Sequence, residues 1–226
     1  MPAADDSIPP GTRRSTVVGA DGYDVGPKPT PVTEDHRCHR AAEGKPMATH
    51  IVLLRGINVG KHNRIAMSEL KALLTDLGHT DVRTLLNSGN AVVTTADADS
   101  AAVARRIRKG ISDSFGLSIP TIVRSRVQVE AVIERNPMPE EAEREPSYFY
   151  VGFCDPAPSQ ERLDAIDGTT LGADRIMVRA GTCYLWFADG PRNSPLGRVL
   201  SADKLGVSMT MRNWNTVRKL LCLAGP

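Results

Sequence analysis

The sequence predicts an α+β fold, because strand-like and helix-like patterns alternate twice along the chain in the same order. Residues 49–127 carry the order strand, helix, strand, strand, helix, strand, and residues 147–226 repeat it. The chain has 226 residues, of which 41% are hydrophobic, enough for a real core in one large or two small domains. We therefore predict two tandem ferredoxin-like (βαββαβ) half-domains with mixed or antiparallel sheets.

Residues 1–46 differ in composition from the remainder. They hold seven of the 16 prolines, and their sparse aliphatic residues follow no period. Such a segment buries too little apolar surface to offset its chain entropy, so we predict a disordered N-terminal tail. Met47 opens the first patterned element and is an alternative start. The predicted boundaries are 1–46 for the tail, 47–127 for the first half-domain, 128–146 for a helix and linker, and 147–226 for the second half-domain.

The first half-domain begins with a strand over residues 49–57, followed by a helix whose apolar stripe spans Met67 to Leu77. Gly78 suits a left-handed residue after that helix. "VRTLLN" and "AVVTT" flank "SGN" and predict a hairpin. Ser100 is expected to cap the next helix and Gly116 to end it. The run 118–127 predicts a last strand, and Pro120 favours an edge position.

The second half-domain follows the same plan. Strands are expected at 147–153 and within 175–188, where Gly181 marks a hairpin turn, and "SMTM" predicts a short fourth strand. Helical patterns occupy 159–166 and "NTVRKLLCL", and 194–206 is helical or turn-rich. A helix and an acidic, proline-marked connector join the two halves.

The connection after the first strand, "RGINVGKHNR", is dense in hydrogen-bond donors. In the strand order 4-1-3-2 it lies at the same end of the sheet as the turn of the first hairpin. First-turn N–H groups of the following helix add a partial positive end. A phosphate or carboxylate cradle is therefore expected, although Asn and Gly are also ordinary loop residues. The candidate ligand-binding residues of these two segments are Arg55, Asn58, Lys61, Asn63, Arg64, Asn87, Ser88 and Asn90.

A second polar stretch, "MRNWNTVRK", precedes the last helix. Arg212 and Asn213 are candidates for the other side of the same site, and Asn213 or Asn215 can cap the helix. Trp214 is expected to anchor packing, with ring stacking as the alternative.

The sequence contains little that favours nucleophilic or metal chemistry. There is no G-x-S-x-G motif, and "HRCHR" at 36–40 lacks a fourth ligand for a metal site. No carboxylate lies in either polar stretch, which disfavours hydrolysis by paired acids or a divalent metal. His62 is the one candidate for proton transfer. We expect no metal and no cofactor.

Basic and aromatic residues leave RNA binding open as an alternative. "ARRIRKG" at 104–110 places four cations on one helix, and Tyr184 and Trp186 alternate on a predicted strand where bases could stack. The structural interpretations are that the basic helix presents a solvated face and that the aromatic residues pack between the half-domains. No apolar run reaches the roughly 18 residues that span a bilayer, and we expect a cytoplasmic protein with reduced cysteines.

Two stretches closely resemble a bacterial domain family of unknown function, number 1697. They are "LLRGINVGKHNRIAMSELKALLTDLGHTDVRTLLNSGN" and "TMRNWNTVRKL". The resemblance runs from about Met47 to Leu223 and implies duplicated ferredoxin-like halves in a cytosolic protein. It implies no activity, cofactor or catalytic residue. Family members tend to have Pro where this chain has Ala66.

The function expected from these observations is binding of, or catalysis on, a small anionic or nucleotide-like ligand by the polar cluster. RNA binding through the aromatic sheet and basic helix is one alternative. A non-catalytic interaction scaffold is the other, and the sequence predicts no particular oligomeric state.

Overall fold

The computed structural model describes residues 46–60, 62–166, 168–192, 194–201 and 205–225, all of which belong to one compact unit. Of the tail predicted to be disordered, residues 1–46, all but the last lie outside the described residues, as do the "HRCHR" segment and the candidate Lys61.

The described residues form eight strands and seven α-helices. The strands are β1 (Ala48–Leu54), β2 (Thr80–Leu85), β3 (Asn90–Thr95), β4 (Thr121–Ser125), β5 (Phe149–Asp155), β6 (Arg175–Arg179), β7 (Thr182–Trp186) and β8 (Ser208–Asn213). The helices are α1 (Met67–Asp76), α2 (Ser100–Phe115), α3 (Arg126–Glu134), α4 (Pro139–Arg144), α5 (Gln160–Asp164), α6 (Pro195–Ser201) and α7 (Trp214–Leu223), with a 3-10 helix at Gly168–Leu171.

The first sheet has the strand order β2-β3-β1-β4, with every pair antiparallel. This is the predicted order 4-1-3-2. β4 lies at an edge, as Pro120 indicated, because proline cannot donate to a further neighbour. β1 is buried on both faces: Ile51 and Leu53 point to one core, and Val52 and Leu54 point to another.

The second sheet repeats the arrangement as β6-β7-β5-β8, again antiparallel. Its hairpin turns at Ala180 and Gly181, whose φ values of 46° and 74° suit the twist of a two-residue hairpin loop. The turn predicted at Gly181 is confirmed. The described part of the chain is therefore α+β, with two four-stranded antiparallel sheets.

A central core joins the two sheets. It combines one face of β1, β3 and β4 with one face of β5 and β7, and α3 and α7 pack into it. Tyr184 and Trp186 lie in this core and are 1% and 5% exposed. The RNA alternative required these two rings on an open sheet face, so the structure contradicts that platform. Trp214 packs edge-on against Phe149, with ring centroids 5.4 Å apart, as expected of a packing anchor.

Helix starts differ from prediction at two places. Asp99, not Ser100, caps α2, because its carboxylate accepts from Ala101 N at 2.8 Å. The strand predicted to reach residue 127 stops at Ser125, because Ser125 and Gln128 form a reciprocal capping box that starts α3. Gly116 ends α2 in the left-handed conformation, as predicted.

Candidate functional site

The loop after β1 and the β2–β3 turn meet at one end of the first sheet. Leu54 N donates to Gly89 O at 2.8 Å, and Asn58 Nδ2 donates to Asn87 O at 2.8 Å. The predicted convergence of these two remote segments is therefore confirmed.

Asn58 and Asn63 hold the shape of the loop itself. Both have positive φ, 56° and 52°, which asparagine tolerates better than most residues. Asn58 also donates to Ile65 O at 2.9 Å and accepts from Ile65 N at 3.0 Å, so its amide bridges the loop. Asn63 Nδ2 donates to Gly56 O at 3.3 Å. These amides direct their hydrogen bonds to the backbone.

The start of α1 is not an open anion cradle. Glu69 Oε2 accepts from Ala66 N at 3.0 Å, so a carboxylate already occupies part of the helix N-terminus. The sequence predicted a polar cluster free of carboxylates, and Glu69 was missed because it lies in the first turn of α1, outside the polar stretch. Arg64 is exposed and donates to Gly60 O at 3.2 Å.

Asn90 is fully buried and joins three parts of the chain. Its Nδ2 donates to Leu85 O at 2.9 Å and to Ser88 Oγ at 3.0 Å, and its Oδ1 accepts from Arg212 Nε. Asn90 therefore links the β2–β3 turn to β8 of the second half.

Arg212 is 8% exposed and has no carboxylate partner among the described residues. A guanidinium has five N–H groups, and hydrogen bonds account for all of them. Burial lowers the pKa of Arg212 to about 10, which leaves it charged at neutral pH. The acceptors are Asn90 Oδ1, Thr210 Oγ1, Met211 O, Leu54 O, Ser88 O and, more weakly, Gly89 O.

Asn213 caps α7. Its Oδ1 accepts from Thr216 N at 3.0 Å and from Thr216 Oγ1 at 2.7 Å, which confirms the predicted cap. The side-chain oxygen of Asn213 is therefore occupied by hydrogen bonds from Thr216 of α7.

Arg55 is exposed, and its guanidinium makes no hydrogen bond or ion pair with any residue that the structure describes. Its backbone N is fixed by Pro120 O at 2.9 Å. Beside Arg55 lies a hollow of about 290 Å³ between the β1 loop and the α6–β8 segment. The hollow is lined by Arg55, Gly56, Gly197, Leu200, Leu205, Val207 and residues 209–212. We call it the Arg55 hollow.

The other candidates border a different hollow. Asn58, Arg64 and Asn87 line a more open space of about 540 Å³, together with Glu69. The structure thus divides the predicted cluster: Arg55 and Arg212 line one hollow, and Asn58, Arg64 and Asn87 line the other. His62 is exposed and lines neither hollow.

The apolar wall of the Arg55 hollow was not predicted from the sequence. Leu200, Leu205, Val207 and Met209 come from α6, β8 and their connection. In the sequence they look like ordinary amphipathic positions, and only the folding of the second half against the β1 loop brings them beside Arg55.

Among residues the structure describes, no three His, Cys, Asp or Glu side chains are grouped to hold a metal ion. Within the same ranges, no helix is both long and apolar enough to cross a membrane.

Comparison with known proteins places the chain by family and fold. The sequence model of the family described as "Protein of unknown function (DUF1697)" matches residues 47–184, more than half of the chain. A solved structure, that of the conserved bacterial protein SP0830 from Streptococcus pneumoniae, superposes with a TM-score of 0.66 at 22% identity, covering 79% of this chain and 99% of that one. At that identity the likeness shows the fold alone. No curated protein matches. The chain belongs to the DUF1697 family of proteins of unknown function.

Proposed function

We propose that this protein binds a small anionic ligand with an apolar or planar part, such as a nucleotide, in the Arg55 hollow. The observation that carries the proposal is the pairing of two cations in one hollow without a carboxylate among its described lining residues. One cation, Arg55, has no side-chain partner among the described residues. The other, Arg212, is buried and has no carboxylate partner in the same ranges.

The two arginines have different roles in this proposal. Arg212 has no N–H group left over, so it acts through its field, which is strong because the group is desolvated. No described residue bonds the guanidinium fork of Arg55, and such a fork matches a carboxylate or a phosphate through two parallel hydrogen bonds. Arg55 would therefore bind the anionic group directly while Arg212 favours negative charge nearby.

The remainder of the hollow suits a ligand that is not purely polar. Leu200, Val207 and Met209 are partly exposed along its wall and would lose contact with water under a ring or an aliphatic chain. Thr210 Oγ1 accepts from Arg212 at 2.8 Å, which leaves the hydroxyl proton for an acceptor on the ligand.

The proposal is for binding rather than for catalysis. His62, the candidate for proton transfer in the sequence, lies outside the Arg55 hollow.

We further propose that each half is a ferredoxin-like unit, which the repeated βαββαβ order supports. We also propose that the protein is cytoplasmic, which the free thiols at Cys154, Cys183 and Cys222 support.

The test is a thermal-shift screen of nucleotides, phosphorylated metabolites and aromatic carboxylates, followed by calorimetric titration of any hit. We expect Arg55→Ala to weaken binding roughly 10- to 100-fold, because it removes a hydrogen bond to a charged group. Arg55→Lys should weaken binding less, because it keeps the charge. Arg108→Ala is the matched control, because Arg108 is an exposed arginine on α2.

Three results would contradict the proposal. The first is the absence of any hit in the screen. The second is equal affinity in wild type and Arg55→Ala. The third is loss of binding with Arg64→Ala instead, which would locate the ligand in the other hollow. RNA retention that falls steeply with salt and is insensitive to Arg55→Ala would favour RNA binding through the basic helix, without the aromatic platform.

A further inference from the structure

A third hollow lies where the first half meets the hairpin of the second. It has a volume of about 150 Å³ and lies between the end of β4 with α3 on one side and the β6–β7 hairpin on the other. Three arginines border it, Arg124, Arg135 and Arg179, together with Thr182 and Tyr184. It shares no described lining residue with the Arg55 hollow, so a ligand bound here is independent of the proposed function.

Arg124 is a partly buried member of this trio and is held in a fixed orientation. Its Nη1 donates to Val123 O at 2.9 Å and its Nη2 to Cys154 O at 2.5 Å. Burial is the main cause that lowers the pKa of Arg124, and the charge of Asp155 opposes that shift. Only two of the five guanidinium N–H groups have acceptors among the described residues, so three remain for a ligand.

Arg135 and Arg179 come from different halves. Arg135 follows the last turn of α3, and Arg179 ends β6. Neither makes a side-chain hydrogen bond or an ion pair with any residue in the described ranges. Both lie close enough to the Tyr184 hydroxyl for their charges to lower its pKa, against the larger effect of burial, which raises it. Arg135 and Arg179 therefore border the same hollow, one from the end of α3 and the other from the β6–β7 hairpin.

A hydrogen bond joins the two halves at this hollow. Tyr184 Oη donates to Val132 O at 2.9 Å, tying β7 to α3 across the hollow. No carboxylate lines this space among the described residues. Asp155 and Asp99 line an adjoining hollow that Arg124 also borders. The charge of Asp155 raises the pKa of Arg124, against the larger effect of burial. Arg135 follows the last turn of α3, whose final carbonyl groups carry only a partial negative charge.

We propose that this three-arginine hollow binds a phosphate-class oxyanion, the phosphoryl group of a small phosphorylated molecule. Three guanidinium forks from separate elements suit a tetrahedral dianion, which offers more acceptor oxygens than a carboxylate. The volume admits a phosphoryl group with a few further atoms. Three like charges around one hollow repel each other when it is empty, so a bound dianion removes that repulsion and stabilises the fold.

The experiment uses the full chain and measures the midpoint of thermal unfolding with inorganic phosphate, glycerol phosphate or sodium chloride at matched ionic strength. We expect both phosphates to raise the midpoint more than chloride does. Arg179→Ala and Arg135→Ala should each weaken the affinity for phosphate roughly 10-fold, and Arg179→Lys should weaken it less. Both side chains are exposed, so the variants are expected to fold.

Two controls make the result specific. Arg108→Ala removes an exposed arginine elsewhere, and Arg55→Ala removes the arginine of the other hollow, so neither should change the phosphate effect. Equal stabilisation by phosphate in all variants would overturn the proposal, as would stabilisation no greater than that by chloride. A response to glycerol phosphate that exceeds the response to inorganic phosphate would support a phosphorylated molecule as the ligand, and the reverse would overturn that assignment in favour of free phosphate.

Discussion

The guanidinium of Arg212 donates to the backbone carbonyl of Leu54 at 2.8 Å, joining the last strand of the second half to the first strand of the first half across 158 positions of sequence. The same guanidinium also donates to Ser88 O and Asn90 Oδ1. One buried cation therefore links β8 both to the end of β1 and to the β2–β3 turn, which meet at one end of the first sheet. The Arg55 hollow is built beside this junction.

Replacement of Arg212 should be strongly destabilising. Arg212→Met leaves the buried acceptors of Leu54 and Asn90 without donors, at an expected cost of about 3 kcal/mol in the free energy of unfolding. Arg212→Lys keeps the charge with three donors in place of five and should cost less. Urea denaturation measures both, with Arg108→Met as the surface control. A cost for Arg212→Met as small as that control would mean that the junction contributes little.

Gly89 should tolerate no side chain. It has a φ of 76°, and a Cβ added there would lie 2.6 Å from Leu54 Cβ and about 3.0 Å from Ile57. Gly116 has a similar φ of 65° but open space around the added atom. We expect Gly116→Ala to cost about 1 kcal/mol of stability for backbone strain alone and Gly89→Ala about 3 kcal/mol, because overpacking adds to that strain. Equal costs measured by urea denaturation would show that the contact with Leu54 relaxes freely.

His79 should make stability depend on pH. Its ring is 1% exposed, and neither ring nitrogen has a hydrogen-bond partner among the described residues. Burial first, and then the charge of Arg106, lower the pKa of His79 from 6.5 to about 4. The unfolded chain therefore binds this proton more readily than the fold does. The stabilisation is complete above the unfolded pKa of 6.5 and is lost as pH falls towards 4, by up to about 3 kcal/mol.

His79→Leu separates this effect from the titration of carboxylates. Because the ring nitrogens make no hydrogen bonds within the described structure, we expect the variant to be as stable as wild type near neutral pH and to lose less stability on acidification. Urea denaturation at several pH values between 6.5 and 4 measures the difference. Parallel pH profiles for the two proteins would contradict the prediction.

Asp174 should be needed to position α6, one wall of the Arg55 hollow. Its carboxylate is 7% exposed and accepts from Ala188 N at 2.9 Å, Ser194 Oγ at 2.6 Å and Leu196 N at 3.2 Å. Asp174→Ala leaves buried donors unpaired, at an expected cost of about 3 kcal/mol of unfolding free energy. Asp164→Ala is the control, since that exposed carboxylate accepts from Gln160 within α5. Similar denaturation midpoints for the two variants would argue against this role.

The sequence by itself determined the order of the elements and much of their pairing. Alternation along β1, the apolar stripe of α1 and the glycines that follow helices or form turns are local patterns, and the structure has these elements in the predicted order. The strand order of the first sheet followed from that order, and so did the meeting of the β1 loop with the β2–β3 turn.

Only the tertiary structure decided what each polar side chain does. Asn58, Asn63 and Asn213 are residue types common in binding sites, yet their side chains bond backbone groups of the loops and helix end that they hold in place. Backbone N–H and C=O groups that have no partner in a helix or sheet need such side-chain partners. The guanidinium of Arg212 is occupied by hydrogen bonds to acceptors that lie far away in the sequence. Arg124, Arg135 and Arg179 look like scattered surface charges until packing gathers them around one hollow. Local periodicity encodes which residues are buried, whereas the convergence of charges depends on contacts between distant segments, which no local pattern records.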